Sequence, residues 1–241
     1  MPALDYAPPL VEGRLVSRYQ RFFADVELVG RRGVVTAHCP NPGSMKTCLE
    51  VGGRVWVQPK SGGKLEWGWE LAEIGGALVS VNPTRSNALV AAALAADAIP
   101  ELAGYAKVRR EASAGESRLD FLLINGARNK ERCFVEVKTV SMDGGGGGLA
   151  IFPDSVTERG VRHLGELRAL RKQGYRAVLL FVVARAGCTR MRPADAIDPA
   201  YGVALRAAAS SGVEVLAYRG VPSLGALTWG GKVAVELGKA K

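Results

Sequence analysis

Three charged side chains interrupt two of the most apolar segments in the second half of the sequence. Glu136 and Lys138 stand inside CFVEVKTV, residues 133–140, and Asp120 stands inside SRLDFLLI, residues 117–124. Both segments are rich in the β-branched and aromatic residues that favour strands, and their apolar residues fall on both faces, as in a strand covered on both sides. Because unpaired charge is unfavourable in such a place, we expect these two carboxylates and this amine to serve chemistry.

The alternation of side chains along a strand predicts that Glu136 and Lys138 share a face, about 6.5 Å apart. If the two strands pair antiparallel with Asp120 opposite Glu136, all three charges are neighbours, whereas a slip of one residue separates them. Two adjacent carboxylates repel each other, and a divalent cation relieves that repulsion. Oxygen ligands suit Mg²⁺ or Mn²⁺, so Asp120 and Glu136 are the predicted metal ligands.

A lysine beside such a metal pair indicates phosphodiester hydrolysis. Lys138 would orient or deprotonate an attacking water, or stabilise charge on the phosphate, while the metal polarises the phosphate. An acid followed by acid-x-Lys on adjacent strands is the PD-(D/E)xK nuclease pattern, and residues 136–138 are the only acid-x-Lys in the chain. The predicted catalytic residues are therefore Asp120, Glu136 and Lys138. The alternative is a structural ion pair between Glu136 and Lys138, with Asp120 bonded to backbone.

Five basic side chains are candidates for contacts with nucleic acid. Arg159 and His163 lie one turn apart on a predicted helix, along the flank of its apolar stripe, where they would point at a phosphate near the sheet edge. Arg109, Arg110 and Arg118 are candidates for the same role. A solvated surface is the alternative for the arginines, and an interface-edge position is the alternative for the histidine.

Three further features are weaker candidates. Glu111, on the strand before Asp120, is a second-tier metal ligand, although a surface carboxylate explains it better. Trp67 and Trp69 share one face of a predicted strand, where they either stack on nucleobases or cover a barrel core.

The motif HCPNPGSM, residues 38–45, is predicted to be a structured turn. His38, Cys39 and Cys48 make a poor zinc set, because neither a C-x-x-C pair nor a second histidine accompanies them.

The elements that must position these residues fall into two groups. Residues 1–83 are short β-like runs separated by glycines, with a hairpin turn at Gly30–Gly33, and this pattern predicts a small β-barrel, a fold that often binds nucleic acid. From residue 84 the order is helix, three strands, helix, strand, helix, strand, which predicts a mixed sheet flanked by helices in the α/β (α+β) class. We predict two domains, 1–83 and 84–241, with VEVLAYRG, residues 213–220, as the last strand that the sequence indicates, and the segment from Val221 carries no signal.

Local signals predict where the helices begin and end. Ser86 or Asn87 is the expected N-cap of the first helix. The second helix is expected to begin through Pro153 and Asp154 and to end at Gly174. The stripe that packs this helix on the sheet is predicted to be Val156, Gly160, Leu164, Leu167 and Leu170.

The 241-residue chain is 48 % hydrophobic and 23 % charged, with a net charge of +9. That composition is globular, and its basic excess favours binding to polyanions. No apolar run is long enough to cross a bilayer, and the N-terminus lacks the pattern of a signal peptide. The cysteines are scattered without a C-x-x-C pair, which predicts free thiols and a cytoplasmic location. They are Cys39, Cys48, Cys133 and Cys188.

Several longer segments together resemble the sugar fermentation stimulation protein A family of bacteria and archaea. They are GRLVSRYQRFFADVEL, AHCPNPGSM, SRLDFLL, VEVKTV, FPDSVTERGVRHLGEL and DPAYG. The resemblance runs from about Leu10 to Tyr218 and implies an N-terminal OB-fold joined to a PD-(D/E)xK nuclease-like domain. It also implies DNA binding, a role in regulating sugar (maltose) metabolism genes, and a nuclease site at Asp120, Glu136 and Lys138. The sequence departs from the family at Pro42, where Thr is expected, and at residues 144–148, a glycine run that is predicted to be an insertion in a flexible loop.

The sequence as a whole predicts a DNA-binding protein with a divalent-metal site that hydrolyses phosphodiester bonds. The alternative is a non-catalytic DNA-binding regulator of sugar metabolism genes. A pure binder does not need all three charged residues, and no helix-turn-helix is visible, so we favour hydrolysis. A sugar-binding or sugar-modifying enzyme is a third hypothesis, and no nucleotide or sugar-phosphate motif supports it. We expect neither a membrane partner nor a small organic cofactor, and the oligomeric state stays open, a dimer included.

Overall fold

The computed structural model describes residues 1–114 and 117–238, and its first half is a closed five-stranded barrel with a sixth strand beside it. The strands in this half are β1 (Ala3–Asp5), β2 (Val11–Tyr19), β3 (Phe23–Leu28), β4 (Val34–His38), β5 (Arg54–Pro59), β6 (Trp67–Ile74) and β7 (Ala77–Ser80). The barrel closes where β4 pairs in parallel with β6. β7 extends it beside β6, whereas β1 leaves the barrel and joins the sheet of the second half.

The two tryptophans of β6 point into the barrel core. Trp67 is 8 % exposed and Trp69 is fully buried, both pack in the same cluster as Leu15 and Val26, and the Trp69 indole N–H donates to the carbonyl of Leu71 at 2.8 Å. Rings that are covered in this way cannot stack on nucleobases. The base-stacking hypothesis for this pair is therefore wrong, and the core-covering interpretation is confirmed.

The second half is a mixed sheet with helices on both faces, as predicted. Its elements are α1 (Pro83–Ala95), β8 (Lys107–Ala114), β9 (Ser117–Ile124), β10 (Arg132–Val140), β11 (Met142–Asp143), β12 (Leu149–Phe152), α2 (Glu158–Lys172), β13 (Arg176–Val183), β14 (Arg190–Pro193), α3 (Pro199–Ser210), β15 (Glu214–Pro222), β16 (Ala226–Lys232) and β17 (Ala234–Val235). The main sheet has the order β1-β16-β15-β13-β10-β9-β8, and a smaller one has the order β11-β12-β14-β17.

Parallel pairing in the centre of the main sheet explains its apolar strands. β10 pairs in parallel with β13, which pairs in parallel with β15, and both faces are covered by helices. Leu89 of α1 packs on one face with Val135. Leu164 of α2 and Leu205 of α3 pack on the other face with Phe134. The segment that carries Glu136 and Lys138 is thus a central strand, which agrees with its apolar composition.

Both predicted helix starts are wrong by several residues. α1 begins at Pro83, since Asn82 is its N-cap and the Asn82 side-chain oxygen accepts the Thr84 N–H at 3.1 Å. Ser86 and Asn87, the predicted caps, therefore lie inside this helix. Proline at the first helical position, after a capping asparagine, is the signal that decides the start.

α2 does not begin through Pro153 and Asp154, because the preceding residues form β12, which pairs with β14. Thr157 is the N-cap and accepts the Gly160 N–H at 3.0 Å. Val156 precedes the helix and is 71 % exposed, so it is not part of the packed stripe. The other predicted members of that stripe, Gly160, Leu164, Leu167 and Leu170, are buried.

β15 is not the last strand of the chain, because β16 and β17 follow it in the segment that carried no sequence signal. β16 pairs antiparallel with both β15 and β1, so the first strand of the chain and a strand from near its other end complete one edge of the main sheet. β17 pairs with β14 in the smaller sheet.

The glycine run at 144–148 is a turn between β11 and β12. The N–H groups of Gly145 and Gly146 hold it by donating to the Asp143 carboxylate at 3.2 and 3.1 Å. The division at residue 84 stays a prediction.

The four cysteines are free and buried, which confirms the expectation of unpaired thiols. Cys39 and Cys48 pack in the barrel core, where Cys39 contacts the carbonyl of Asn41 and Cys48 contacts that of Ser141. Within residues 1–114 and 117–238, no helix has the length and apolar character needed to span a membrane.

Candidate active site

The pairing of β9 with β10 continues to the point where Asp120 lies opposite Glu136. The last backbone-paired residues are Val135 and Phe121. One step beyond, the Val137 N–H donates to Asp120 Oδ2 at 2.8 Å. A side-chain carboxylate thus takes the place of a backbone carbonyl, and the two strands stop pairing where the charged residues begin. This is the register that the predicted site requires.

The alternation of β9 is broken beside Asp120, contrary to the simple strand pattern. Leu119 packs with Leu122 on the α2 and α3 side of the sheet, whereas Phe121 packs on the α1 side. Glu111 lies opposite this point on β8, between the pairs of Arg110 with Phe121 and Ala112 with Leu119, and has a positive φ of 51°. The pairing of β8 with β9 stays one-to-one on both sides of this point, so no residue is inserted and the irregularity is a local change of backbone conformation opposite Asp120.

Glu136 is held by two basic side chains at one of its oxygens. Its side chain is 4 % exposed, and Oε1 accepts from Lys138 Nζ at 2.7 Å and from the Nδ1 of His163 on α2. Arg159, one turn earlier on α2, donates through Nε to His163 Nε2 at 3.4 Å. Because Nε2 accepts, the proton of a neutral His163 is on Nδ1 and points at Glu136. The chain Arg159–His163–Glu136 therefore orients the carboxylate.

His163 does not lie where the sequence predicted it. We expected it on the flank of α2, facing a phosphate, but it is 2 % exposed and packed beneath the cleft. The sequence does contain a signal for this burial. His163 directly precedes Leu164 and follows Gly160 by three residues, and Gly160 and Leu164 both belong to the buried stripe. Arg159 does line the cleft, as expected.

The two carboxyl groups have opposite electrostatic environments. Burial and then the negative charge of Glu136 raise the pKa of Asp120 to about 6. Burial also opposes ionisation of Glu136, but the hydrogen bonds from His163 and Lys138 outweigh it and lower the pKa of that carboxyl. Asp120 is therefore the group whose charge is least compensated by the protein.

Asp120 and Glu136 line one cleft of about 420 Å³ together with Lys138. Asp120 Oδ1 accepts from Asn87 of α1 at 2.7 Å. Throughout the described ranges, no protein group donates to Glu136 Oε2, and no group of three or more His, Cys, Asp or Glu is arranged to hold a metal. A hard divalent cation that keeps most of its water fits this pair of carboxylates. Asn87 was predicted as a helix cap, and its contact with Asp120 was not foreseen.

The barrel forms one wall of this cleft through the turn HCPNPGSM. Asn41, Pro42 and Gly43 line the cleft. The turn docks on Asp154, because the Ser44 hydroxyl donates to the Asp154 carbonyl at 2.5 Å and the Met45 N–H donates to Asp154 Oδ2 at 2.9 Å. A Cβ on Gly43 would lie 2.4 Å from that carboxylate, so only glycine permits the contact. Asp154 holds the two halves together at the site.

The other predicted contacts lie outside the cleft lining. Arg109 and Arg110 are exposed on the edge strand β8, and the Arg110 guanidinium lies over the Phe121 ring at 5.8 Å. Arg118 pairs with Glu111 at 3.1 Å, and their side chains are 69 % and 74 % exposed. Glu111 is thus a surface carboxylate, the alternative that its sequence position favours.

The first half of the protein is a closed OB-type barrel, and the second half is a mixed α+β domain. A carboxylate pair and a lysine lie where two strands of the second half part. This combination defines the class of this protein. Two family models match the chain. The SfsA N-terminal OB domain matches residues 16–81, and the Sugar fermentation stimulation protein RE domain matches residues 84–224. The chain belongs to the sugar fermentation stimulation protein family, which confirms the predicted membership and the predicted fold class.

The similarity to known proteins extends over most of the chain. A sugar fermentation stimulation protein homolog of Pseudomonas paraeruginosa is 50 % identical over 220 residues, which cover 88 % of this chain and 91 % of the relative. A homolog of Thioalkalivibrio sulfidiphilus is 46 % identical over 237 residues, which cover 97 % and 95 %. The solved structure of Pyrococcus furiosus SfsA in complex with Ca²⁺ is 28 % identical, with a TM-score of 0.89 and coverage of 98 % and 99 %.

Proposed function

We propose that this protein hydrolyses phosphodiester bonds in DNA with a divalent cation held by Asp120 and Glu136. The observation that carries the proposal is the arrangement where β9 and β10 stop pairing. Two carboxylates from adjacent strands and the amine of Lys138 line one cleft there. The alternative, an ion pair between Glu136 and Lys138 with Asp120 bonded to backbone, names contacts that are present. It gives no reason for Asp120, a carboxyl whose pKa is raised by burial and by Glu136, to line the same cleft as that pair.

Mg²⁺ or Mn²⁺ is the proposed cofactor, because the donors are carboxylate oxygens. The Ca²⁺ complex of the Pyrococcus furiosus relative supports a divalent cation, since Ca²⁺ is also a hard ion that takes oxygen ligands. When bound, the cation supplies Lewis acidity and lowers the pKa of water.

Each side chain of the site has a separate role in this proposal. His163, held by Arg159, keeps Glu136 in one orientation, and Asn87 does the same for Asp120. Lys138 places a positive charge at the cleft, where it stabilises the charge that develops on the scissile phosphate. Its amine also lies where it can hold the attacking water.

The cleft offers groups that bind a phosphate backbone. Pro83 and Thr84 of α1 and Thr157 at the start of α2 line it, so two helix N-termini face the space above the carboxylates. Helix N-termini carry partial positive charge and unpaired N–H groups that favour anions. Arg159 adds a full positive charge, and the net charge of +9 attracts polyanions.

The test is a cleavage assay on single-stranded and double-stranded DNA in Mg²⁺ and then Mn²⁺. We expect the parent protein to cleave and Asp120→Ala to lose cleavage. Glu27→Ala, which removes an exposed carboxylate of β3, is the matched control and should cleave like the parent. Cleavage that persists in Asp120→Ala would overturn the site, and salt-sensitive binding without cleavage in either metal would overturn hydrolysis.

A non-catalytic DNA-binding regulator of sugar metabolism genes is the second candidate, favoured by the name that the relatives share. Binding without cleavage is the result that would select it. A cytoplasmic location suits either candidate, because the four buried thiols are free.

Divalent-cation binding is expected to depend on the protonation of Asp120. With a pKa of about 6 for this carboxyl, a proton competes with the cation below that pH. The affinity for Mn²⁺ should therefore fall by about tenfold in total between pH 7 and pH 5, about fivefold of it between pH 6 and pH 5, and level off above about pH 7, since one proton is displaced. Titration calorimetry at pH 5, 6, 7 and 8 measures this, and an affinity that is equal at pH 5 and pH 7 would exclude Asp120 as a ligand.

A further inference from the structure

The tip of the β2–β3 hairpin exposes two aromatic side chains. Tyr19 is 41 % and Phe22 is 47 % exposed, and Tyr19 stacks on Phe23 with ring centroids 5.5 Å apart. Gln20 and Arg21 have positive φ values of 47° and 64°, which let the chain reverse within three residues. The tight reversal holds Phe22 away from the barrel core.

This tip is bonded directly to the wall of the cleft. The guanidinium of Arg18 donates to the carbonyl of Arg21 at 2.9 Å, to that of Asn41 at 2.8 Å and to that of Gly43 at 3.0 Å. The Cys39 N–H donates to the carbonyl of Phe22 at 2.8 Å. Because Asn41 and Gly43 line the cleft that contains Asp120, the aromatic tip and the cleft wall form one connected unit.

We propose that Phe22 and Tyr19 form a stacking platform for unpaired nucleobases of a strand whose backbone enters the cleft. The inference rests on the proposed function and adds the substrate class, namely nucleic acid with a single-stranded segment. Stacking on aromatic side chains requires a free base face, which a paired duplex does not present. Arg21 at the same tip is exposed and offers a positive charge to the backbone.

The size and charge of the tip favour this occupant over a protein. A stable protein interface buries about 800 Å² on each partner, whereas the tip offers two aromatic side chains beside an arginine. The barrel residues that the sequence suggested for stacking, Trp67 and Trp69, are covered by the core. The exposed rings belong instead to the hairpin tip that is hydrogen-bonded to the cleft wall.

The test compares affinities for a single-stranded oligonucleotide and for the blunt duplex of the same sequence. Binding is followed by fluorescence anisotropy in Ca²⁺ at fixed salt. Phe22→Ala is expected to weaken single-strand binding by about tenfold, the effect of one lost base stack, and to leave duplex binding within about twofold. Phe22→Leu should lose a similar amount, because it keeps the apolar surface but not the ring. Val29→Ala, at an exposed apolar side chain of the same barrel, is the matched control and should bind like the parent.

The outcomes separate this inference from the proposed function. Single-strand affinity that is unchanged in Phe22→Ala and Tyr19→Ala would overturn the platform, while cleavage that depends on Asp120 would still support hydrolysis. An equal loss on single strand and duplex would also overturn it, because stacking discriminates between them. A parent protein that binds neither DNA would overturn both. Thermal unfolding of each variant near the parent temperature shows that a lost affinity reflects the missing ring.

Discussion

Replacing Lys138 by methionine is expected to lower the rate of DNA cleavage by about 10²–10⁴-fold, the usual contribution of a positioned acid–base group. Divalent-cation binding should persist, because Asp120 and Glu136 are unchanged. The Lys138 amine lies 2.7 Å from Glu136 Oε1, and its side chain is 17 % exposed. Methionine fills the space of the aliphatic stem and removes the amine, with its charge and its hydrogen bond to Glu136. Single-turnover cleavage together with calorimetric titration of Mn²⁺ measures the two effects separately.

Lys172→Met is the matched control for this experiment, because Lys172 is exposed on the last turn of α2 and far along the helix from Arg159. Both variants lose one positive charge, so a general weakening of DNA binding by reduced net charge appears in both. Undiminished cleavage in Lys138→Met would remove the lysine from the mechanism. Loss of cation binding in that variant would show instead that Lys138 is needed to keep the carboxylates in place.

Replacing Arg85 by methionine is expected to destabilise the protein by about 3–5 kcal/mol, because one partner of a buried ion pair is removed. Arg85 of α1 donates to Glu70 of β6 at 2.8 Å, and their side chains are 15 % and 8 % exposed. The guanidinium also donates to Gln58 at 3.0 Å and lies 4.0 Å from the centre of the Tyr6 ring. Without it, the one hydrogen bond that the Glu70 carboxylate keeps from the described part of the chain is that from Asn82 at 2.9 Å. Urea unfolding gives the loss in free energy.

The pH dependence of that loss tests its cause. Burial already raises the pKa of Glu70 above its usual value, although Arg85 opposes this, and removal of Arg85 should raise the pKa further. When the pKa of a carboxyl is higher in the folded protein than in the unfolded chain, its contribution to the free energy of unfolding is largest at low pH. That contribution is lost as the pH rises through the folded pKa. The destabilisation by Arg85→Met should therefore be larger at pH 8 than at pH 5.

Two comparisons control this prediction. Arg85→Met combined with Glu70→Gln should recover part of the lost stability, since no uncompensated charge stays buried. Arg118→Met, which breaks the exposed pair with Glu111, should cost less than about 1 kcal/mol. If Arg85→Met were as mild as Arg118→Met, the buried network would not be what joins the barrel to α1.

The candidate site was visible in the sequence because a charge inside an apolar run is unusual. Asp120, Glu136 and Lys138 could be selected from strand patterning alone, since a buried charge needs a partner or a purpose. The barrel and the mixed sheet followed from the same kind of signal, namely the periodicity of apolar residues and the spacing of glycines. The strand β16 was missed because its sequence, ALTWGGK, has little apolar alternation and two glycines.

The partners of these residues depend on contacts that no local pattern contains. Periodicity reports which face of an element is buried, but it does not report what lies against that face. His163 meets Glu136 from a helix 27 residues further along the chain, and Asp154 meets Met45 across 109 residues. Whether Asp120 lies opposite Glu136 depended on strand register, which changes completely with a slip of one residue. The sequence therefore determined which residues are candidates for the chemistry, and folding in three dimensions decided that the barrel supplies one wall of their cleft.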